Sequence, residues 1–220
     1  MLAASSQRRT QRTLLNDVAY ERIKEKIILL ELPPASLIDE AALAKELDVG
    51  LTPVRQALRR LAMENLVLIL PRRGTLVADL NLSDLHKIFE MRLELEALAA
   101  QLATARATTI QISAMETLLE ETEPLLESHD NARLLEADHR LHALIAQAAH
   151  NEFLADTLDW LYGHIRRLWN LSLDRVTGLP EGVREHREIF RAIQAGEGER
   201  AAALMRAHVN HFQQEVATIL

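Results

Sequence analysis

One acidic residue and three histidines lie in the apolar stripes of predicted helices. Asp138 and His142 are four residues apart, so a helix places them one turn apart on its apolar face. His186 and His208 lie in the apolar stripes of two later helices. Burying such groups without partners costs several kcal/mol each, about 2–7. A shared divalent metal would satisfy all four, and nitrogen and oxygen ligands suit Zn²⁺ first, with Ni²⁺ and Mn²⁺ as alternatives.

Two other interpretations of these four residues stay open from the sequence. Each histidine could be a separate core residue that hydrogen-bonds to a backbone carbonyl or a carboxylate. Alternatively, an Asp/His₃ site with open coordination positions could serve a metal-dependent hydrolase or oxygenase. The sequence offers no separate motif for a general base, which argues against the enzyme.

An arginine is also predicted inside the helical part of the chain. Arg92 lies in the middle of an apolar stripe, and Glu96 follows one helical turn later. The two could form an internal ion pair. Alternatively, the guanidinium of Arg92 could hold the carboxylate of a small organic acid through two parallel hydrogen bonds. His164 shares a helix face with Trp160 and is the second candidate ligand-binding residue.

A basic segment in the first third of the chain has the pattern of a DNA-reading helix. The stretch VGLTPVRQALRRL begins at Val49. Thr52 is predicted to cap the helix, and Pro53 is predicted as its first residue. Apolar residues recur at helical spacing, which leaves Arg55 and Arg59 on another face. The alternative is an ordinary amphipathic helix with solvated arginines.

The segment after this helix predicts a two-stranded β-hairpin with a basic tip. Residues 67–70 and 75–78 are rich in β-forming side chains, and the sequence PRRG between them supplies a turn. A basic helix beside such a hairpin is typical of a winged helix-turn-helix that contacts DNA. The predicted DNA-binding residues are Thr52, Arg55, Gln56, Arg59, Arg72, Arg73 and Gly74.

Two domains must position these residues. Three helices and the hairpin fill residues 14–80, which we predict to be a winged helix-turn-helix domain. Residues 83–218 show helical patterns throughout and predict an antiparallel helical bundle. Residues 1–13 are polar and are expected to form a tail. The predicted fold class is therefore mainly α, with one small β-hairpin wing.

Composition and charge restrict the function classes. The 220-residue chain has no cysteine, which excludes disulfides and thiolate metal sites. It has no membrane-spanning apolar run and no signal peptide, so we expect a cytoplasmic protein without a membrane partner. Residues 1–80 carry 12 Lys and Arg against 10 Asp and Glu, whereas residues 81–220 carry 13 against 22. This asymmetry favours a DNA-binding N-terminal part on an acidic body.

The order of these motifs resembles the GntR family of transcriptional regulators, FadR subfamily, with a C-terminal ligand-binding domain of the FCD type. The N-terminal resemblance rests on LAKELDVGLTPVRQALRRLAMENLV and PRRGTLV. The C-terminal resemblance rests on RLELE, on the spacing of Asp138 and His142, and on EHREIFRAI and MRAHV. The resemblance implies a homodimer that binds palindromic operator DNA. It also implies that Asp138, His142, His186 and His208 hold a metal, and that a carboxylate metabolite alters operator affinity.

A few positions depart from the family pattern. Gly50 and Leu51 stand where the family usually has Ser-Arg, so one arginine that normally contacts DNA is absent. Gln56 replaces the usual glutamate, and Asn65 replaces a glycine, which is acceptable where a left-handed backbone is needed. The resemblance as a whole implies a ligand-responsive DNA-binding regulator, namely a repressor that is released from DNA when a small carboxylate binds at the metal.

Overall fold

The computed structural model describes residues 2–172 and 179–219. The chain divides into two compact units, residues 1–81 and residues 82–220. The elements of the first unit are α1 (Leu2–Ile28), β1 (Leu37–Ile38), α2 (Glu40–Glu46), α3 (Leu51–Met63), β2 (Val67–Leu70) and β3 (Gly74–Val77). The described helices of the second unit are α4 (Leu82–Arg106), α5 (Thr109–Glu121), α6 (Glu123–Ser128), α7 (Asn131–Ala148), α8 (Glu152–Ser172), α9 (Leu179–Gln194) and α10 (Gly198–Ile219). This architecture confirms the predicted mainly-α fold class.

The core of the first unit forms where α1 packs on α3. Ile23 and Ile27 of α1 and Val54 and Leu61 of α3 are completely buried. The stripe on α3 follows the helical spacing that the sequence predicted. Because this stripe holds one side of α3 in the core, the opposite side carries the polar and basic residues.

Helices α2 and α3 begin in different ways. The Asp39 carboxylate caps α2, since it accepts hydrogen bonds from the backbone N–H groups of Ala41 and Ala42, both at 2.9 Å. The predicted Thr52 cap of α3 is wrong. Helix α3 begins at Leu51, two residues before the predicted first residue Pro53, with Gly50 as its N-cap and no side-chain cap. Proline is still tolerated in this first turn, where its missing N–H would have no helical partner.

The sheet has three antiparallel strands in the order β1-β3-β2, so the predicted two-stranded wing is one strand short. Strand β1 was missed because its two residues are too few to show alternation. It pairs Leu37 with Leu76 of β3. The hairpin turn requires a left-handed backbone at Arg72 (φ 64°) and Gly74 (φ 96°).

The N-terminal segment differs from the predicted tail. Residues 2–13 continue helix α1 instead of preceding it. The segment contains alanine, glutamine and arginine, which favour helix, and has no glycine or proline to stop it.

The second unit has the predicted series of helices and no strand among its described residues. Helix α4 packs against α7, α8, α9 and α10, and thereby organises the bundle. Pro124 lies in the first turn of α6, at the break between α5 and α6, where its missing N–H has no helical partner to lose. The helical pattern of the sequence also predicts a helix over residues 151–176 and a break at Thr177 and Gly178, but residues 173–178 lie outside the described residues. No described helix is long and apolar enough to cross a membrane.

Candidate functional site

The structure brings together the four residues that the sequence singled out as metal ligands. Helix α7 supplies Asp138 and His142, α9 supplies His186, and α10 supplies His208. One ligand atom from each lies within 4.8 Å of the others. The three histidines are buried, and the side chain of Asp138 is 13% exposed.

The imidazole nitrogens form a small triangle. The Nε2 atoms of His142, His186 and His208 are separated by 3.1–3.3 Å. Oδ1 of Asp138 lies 3.5 Å from Nε2 of His186 and 3.8 Å from Nε2 of His142. Two nitrogens bound tetrahedrally to zinc are about 3.3 Å apart, given Zn–N bonds of about 2.0–2.1 Å. The triangle therefore has the size of a single metal site.

Two of the three rings are oriented by carboxylates on their opposite side. Nδ1 of His142 donates a hydrogen bond to Glu96 of α4, and Nδ1 of His208 donates to Glu185 of α9 at 2.7 Å. With a proton on Nδ1, each ring turns its Nε2 towards the cluster, where metal ligation requires a lone pair. Tyr162 of α8 donates to Oδ2 of Asp138, which leaves Oδ1 directed at the histidines.

The buried charges around this cluster compensate one another. Arg92 binds Glu96 through its Nε at 2.6 Å, so the internal ion pair considered from the sequence is present. Burial alone would raise the pKa of the Glu96 carboxyl, but Arg92 and His142 lower it to about 2. Burial, followed by the charges of His208 and His142, lowers the pKa of His186 well below its usual value. Glu96 is therefore an anion, and His186 is a neutral ligand donor.

Two buried donors near the cluster have no hydrogen-bond partner within the described part of the chain. These are Nη1 of Arg92 and the indole Nε1 of Trp169. Trp169 and Phe212 line a cavity of about 30 Å³ that also touches His186 and His208. Such a volume holds water or a very small group. A larger cavity of about 260 Å³ touches Glu96 and His142 from the other side.

The second predicted ligand-binding histidine is not part of the cluster. His164 of α8 packs edge-on against Trp160, with ring centroids 5.9 Å apart. It lines neither of the two cavities beside the cluster.

The predicted DNA-binding residues are exposed in the first unit. Thr52, Arg55, Gln56 and Arg59 share one side of α3, opposite its buried stripe. Arg72, Arg73 and Gly74 are exposed at the β2–β3 turn. Arg55 donates from Nε to Glu40 of α2 at 2.7 Å.

Sequence reasoning missed Glu185, Tyr162 and Glu40, which position the candidate ligands and Arg55. Glu185 could have been found from the sequence, because it directly precedes His186 in the motif EHREIF. Tyr162 and Glu40 could not, since their contacts join different helices.

Comparison with known proteins agrees with both units. Residues 87–211 match the FCD domain, and residues 15–77 match the bacterial regulatory proteins of the gntR family. The chain belongs to the GntR family and carries a C-terminal FCD domain. It is therefore a DNA-binding transcriptional regulator, as the resemblance implied, and the hydrolase or oxygenase alternative has no support.

Similar regulators span nearly the whole chain. The HTH-type transcriptional regulator YdhC of Bacillus subtilis (strain 168) is 28% identical over 204 residues, which covers 91% of this chain and 90% of that protein. The HTH-type transcriptional repressor RspR of Escherichia coli (strain K12) is 25% identical over 205 residues, with 93% and 90% coverage. The structure of E. coli McbR/YncC shares the fold, with a TM-score of 0.83, 20% identity, and coverage of 93% and 97%.

Proposed function

We propose that this regulator is a repressor, and that it is released from DNA when a small carboxylate binds at a metal in the FCD domain. The observation that carries the proposal is the triangle of three Nε2 atoms, two of them on rings held by carboxylates. Without an ion, the buried triangle would lack donors for all of its lone pairs, since two of the rings place a proton on Nδ1. Asp138, His142, His186 and His208 are the proposed ligands, for zinc or alternatively nickel or manganese.

The proposed effector is a small organic acid. When bound, the metal would supply a Lewis-acid site for a carboxylate oxygen. Nη1 of Arg92 remains available for an anion because only the other side of the guanidinium is committed to Glu96. The cavity of about 30 Å³ beside the histidines is too small for most organic acids, so binding requires it to enlarge. His164 remains a predicted ligand residue, although it lines neither of the two cavities beside the cluster.

The proposed DNA contacts divide between α3 and the wing. Thr52, Arg55, Gln56 and Arg59 are exposed together on α3, as major-groove readers must be. Arg72, Arg73 and Gly74 at the wing tip are suited to phosphates or the minor groove.

Several finer features of this regulator also belong to the proposal. A homodimer would match a palindromic operator, since two-fold symmetry in the protein is mirrored in the DNA. We also propose that the protein belongs to the FadR subfamily and is located in the cytoplasm. The repressor role has support from RspR, which is named as a transcriptional repressor.

Metal analysis tests the proposal. The full-length protein is dialysed against zinc and then against metal-free buffer, and its metal content is measured by mass spectrometry. We expect about one ion per chain, and loss of that ion in His186→Ala. His211→Ala is the matched control, because His211 also contacts Glu185 but lies outside the cluster. Wild-type protein without zinc, or His186→Ala with full zinc, would contradict the metal site.

A further inference from the structure

One exposed arginine of the proposed DNA-reading surface differs from the others in its partners. Arg55 donates from Nε to Oε2 of Glu40 at 2.7 Å. Within the described part of the chain, Arg59, Arg72 and Arg73 form no such side-chain hydrogen bond or ion pair. Arg55 is therefore oriented before any DNA arrives, and the other three arginines are not.

The contact leaves the end of the Arg55 side chain available. A guanidinium has five N–H donors in a planar fork, and Nε carries only one of them. The two terminal nitrogens make no hydrogen bond within the described residues, and the side chain is 60% exposed. A fork held in this way matches the O6 and N7 acceptors of guanine in the major groove.

Glu40 is itself held firmly. It is the first residue of α2, directly after the Asp39 cap, and its side chain is only 28% exposed. A carboxylate in the first turn of a helix is stabilised by the positive end of the helix dipole. Helix α2 packs against α3, so the acceptor and the arginine lie on two elements of one rigid unit.

The charge of Glu40 has opposite effects on two kinds of DNA binding. A carboxylate close to the DNA-binding face repels phosphates, so it weakens sequence-independent binding. The same carboxylate reduces the rotamer entropy that Arg55 must lose on binding a base. We propose that Glu40 is a positioning residue for DNA recognition that directs Arg55 to a guanine of the operator. This inference rests on the proposed role of α3 in DNA reading.

The test uses the full-length protein and an operator selected by the wild type from a random-sequence DNA pool. Affinities for this operator, for its single-base variants and for unrelated DNA are measured by fluorescence anisotropy at one salt concentration. Arg55→Ala identifies the base pair that Arg55 reads, because this variant protein should bind the operator and the single-base variant at that base pair with equal affinity. Glu40→Gln is then compared with the control Glu46→Gln, which removes a charge from the same helix but contacts Lys26 instead.

At the base pair that Arg55→Ala identifies, we expect the affinity ratio between the operator and its single-base variant to be about tenfold smaller for Glu40→Gln than for the wild type. Binding to unrelated DNA should be unchanged or stronger, and in the Arg55→Ala background the Glu40 substitution should have no further effect on discrimination. Glu46→Gln should keep full discrimination. An equal loss on operator and unrelated DNA would show a merely structural role and overturn the inference, as would a loss of discrimination at another base pair. If the wild type selects no sequence, the proposed DNA-reading role of α3 fails as well.

Discussion

At the residue scale, the proposed metal site depends on side chains that would not touch the ion. Glu96 orients His142, Glu185 orients His208, and Tyr162 orients Asp138. Partners of this kind fix the tautomer and the ring position of a metal ligand, and their loss typically weakens metal affinity about 10–100-fold. Glu96 also neutralises a buried arginine, so its loss would damage folding too.

Glu185 gives the cleaner test of this arrangement. It is partly exposed, so Glu185→Gln should leave the fold intact. Because a neutral amide orients and polarises His208 less strongly, zinc affinity should fall about tenfold or more. The measurement is a competition titration with a zinc-binding dye. Glu188→Gln, on the outer face of the same helix, serves as the control and should bind zinc like the wild type.

At the element scale, the wing presents two arginines on a tight turn. Arg72 and Arg73 are exposed at the β2–β3 tip, where phosphates are more accessible than base edges. Replacing both with alanine should weaken binding to the operator and to unrelated DNA alike. It should also reduce the slope of log K against log salt by about 1.8 for each bound chain, and by about 3.6 for the proposed homodimer, since each phosphate contact contributes about 0.9. Loss of affinity for the operator alone, with the slope unchanged, would contradict the phosphate role.

The same turn depends on one glycine. Gly74 has φ 96°, and a Cβ there would lie 3.2 Å from Cδ1 of Leu37. Gly74→Ala should therefore destabilise the first unit by about 1 kcal/mol or more, because it forces an L-residue into a left-handed backbone. Urea denaturation followed by circular dichroism would compare the variant with the wild type, and equal stabilities would refute the strain.

The elements that sequence reasoning predicted correctly are those with strong periodicity or capping chemistry. The buried stripe of α3 belongs to this class, and so does the cap of α2, because Asp39 stands directly before a helical pattern in the sequence. The predicted Thr52 cap was wrong because Leu51, an unremarkable helix residue, already belongs to the first turn. Strand β1 was invisible because two residues carry no alternation, and its stability comes from pairing with β3.

Sequence reasoning about the candidate site had a similar limit. Asp138 and His142 lie one turn apart, and the inward positions of His186 and His208 follow from helical spacing, so their convergence was predictable. For Arg92, spacing alone could not decide between an internal pair and a ligand contact. The structure shows the pair with Glu96, and it also shows that Glu96 contacts His142, which depends on how α4 packs against α7.

At the scale of the whole molecule, the two parts of the chain have opposite charge balances. Residues 1–80 have a small excess of basic residues, and residues 81–220 have a large excess of acidic ones. DNA affinity is therefore expected from the first unit, and the second is suited to a function away from phosphates. If the two sites are coupled, the coupling must be reciprocal, so operator DNA must change effector affinity by the same factor.

The most direct test of the account is the operator affinity of the zinc-loaded, full-length protein with and without a bound acid. A panel of small carboxylic acids is first screened for the one that most raises the melting temperature. Fluorescence anisotropy then gives the operator Kd with and without saturating amounts of that acid. We predict sequence-specific binding that the acid weakens at least about fivefold, and no such change in His186→Ala. An operator Kd that is unchanged while the acid is demonstrably bound would contradict the central claim.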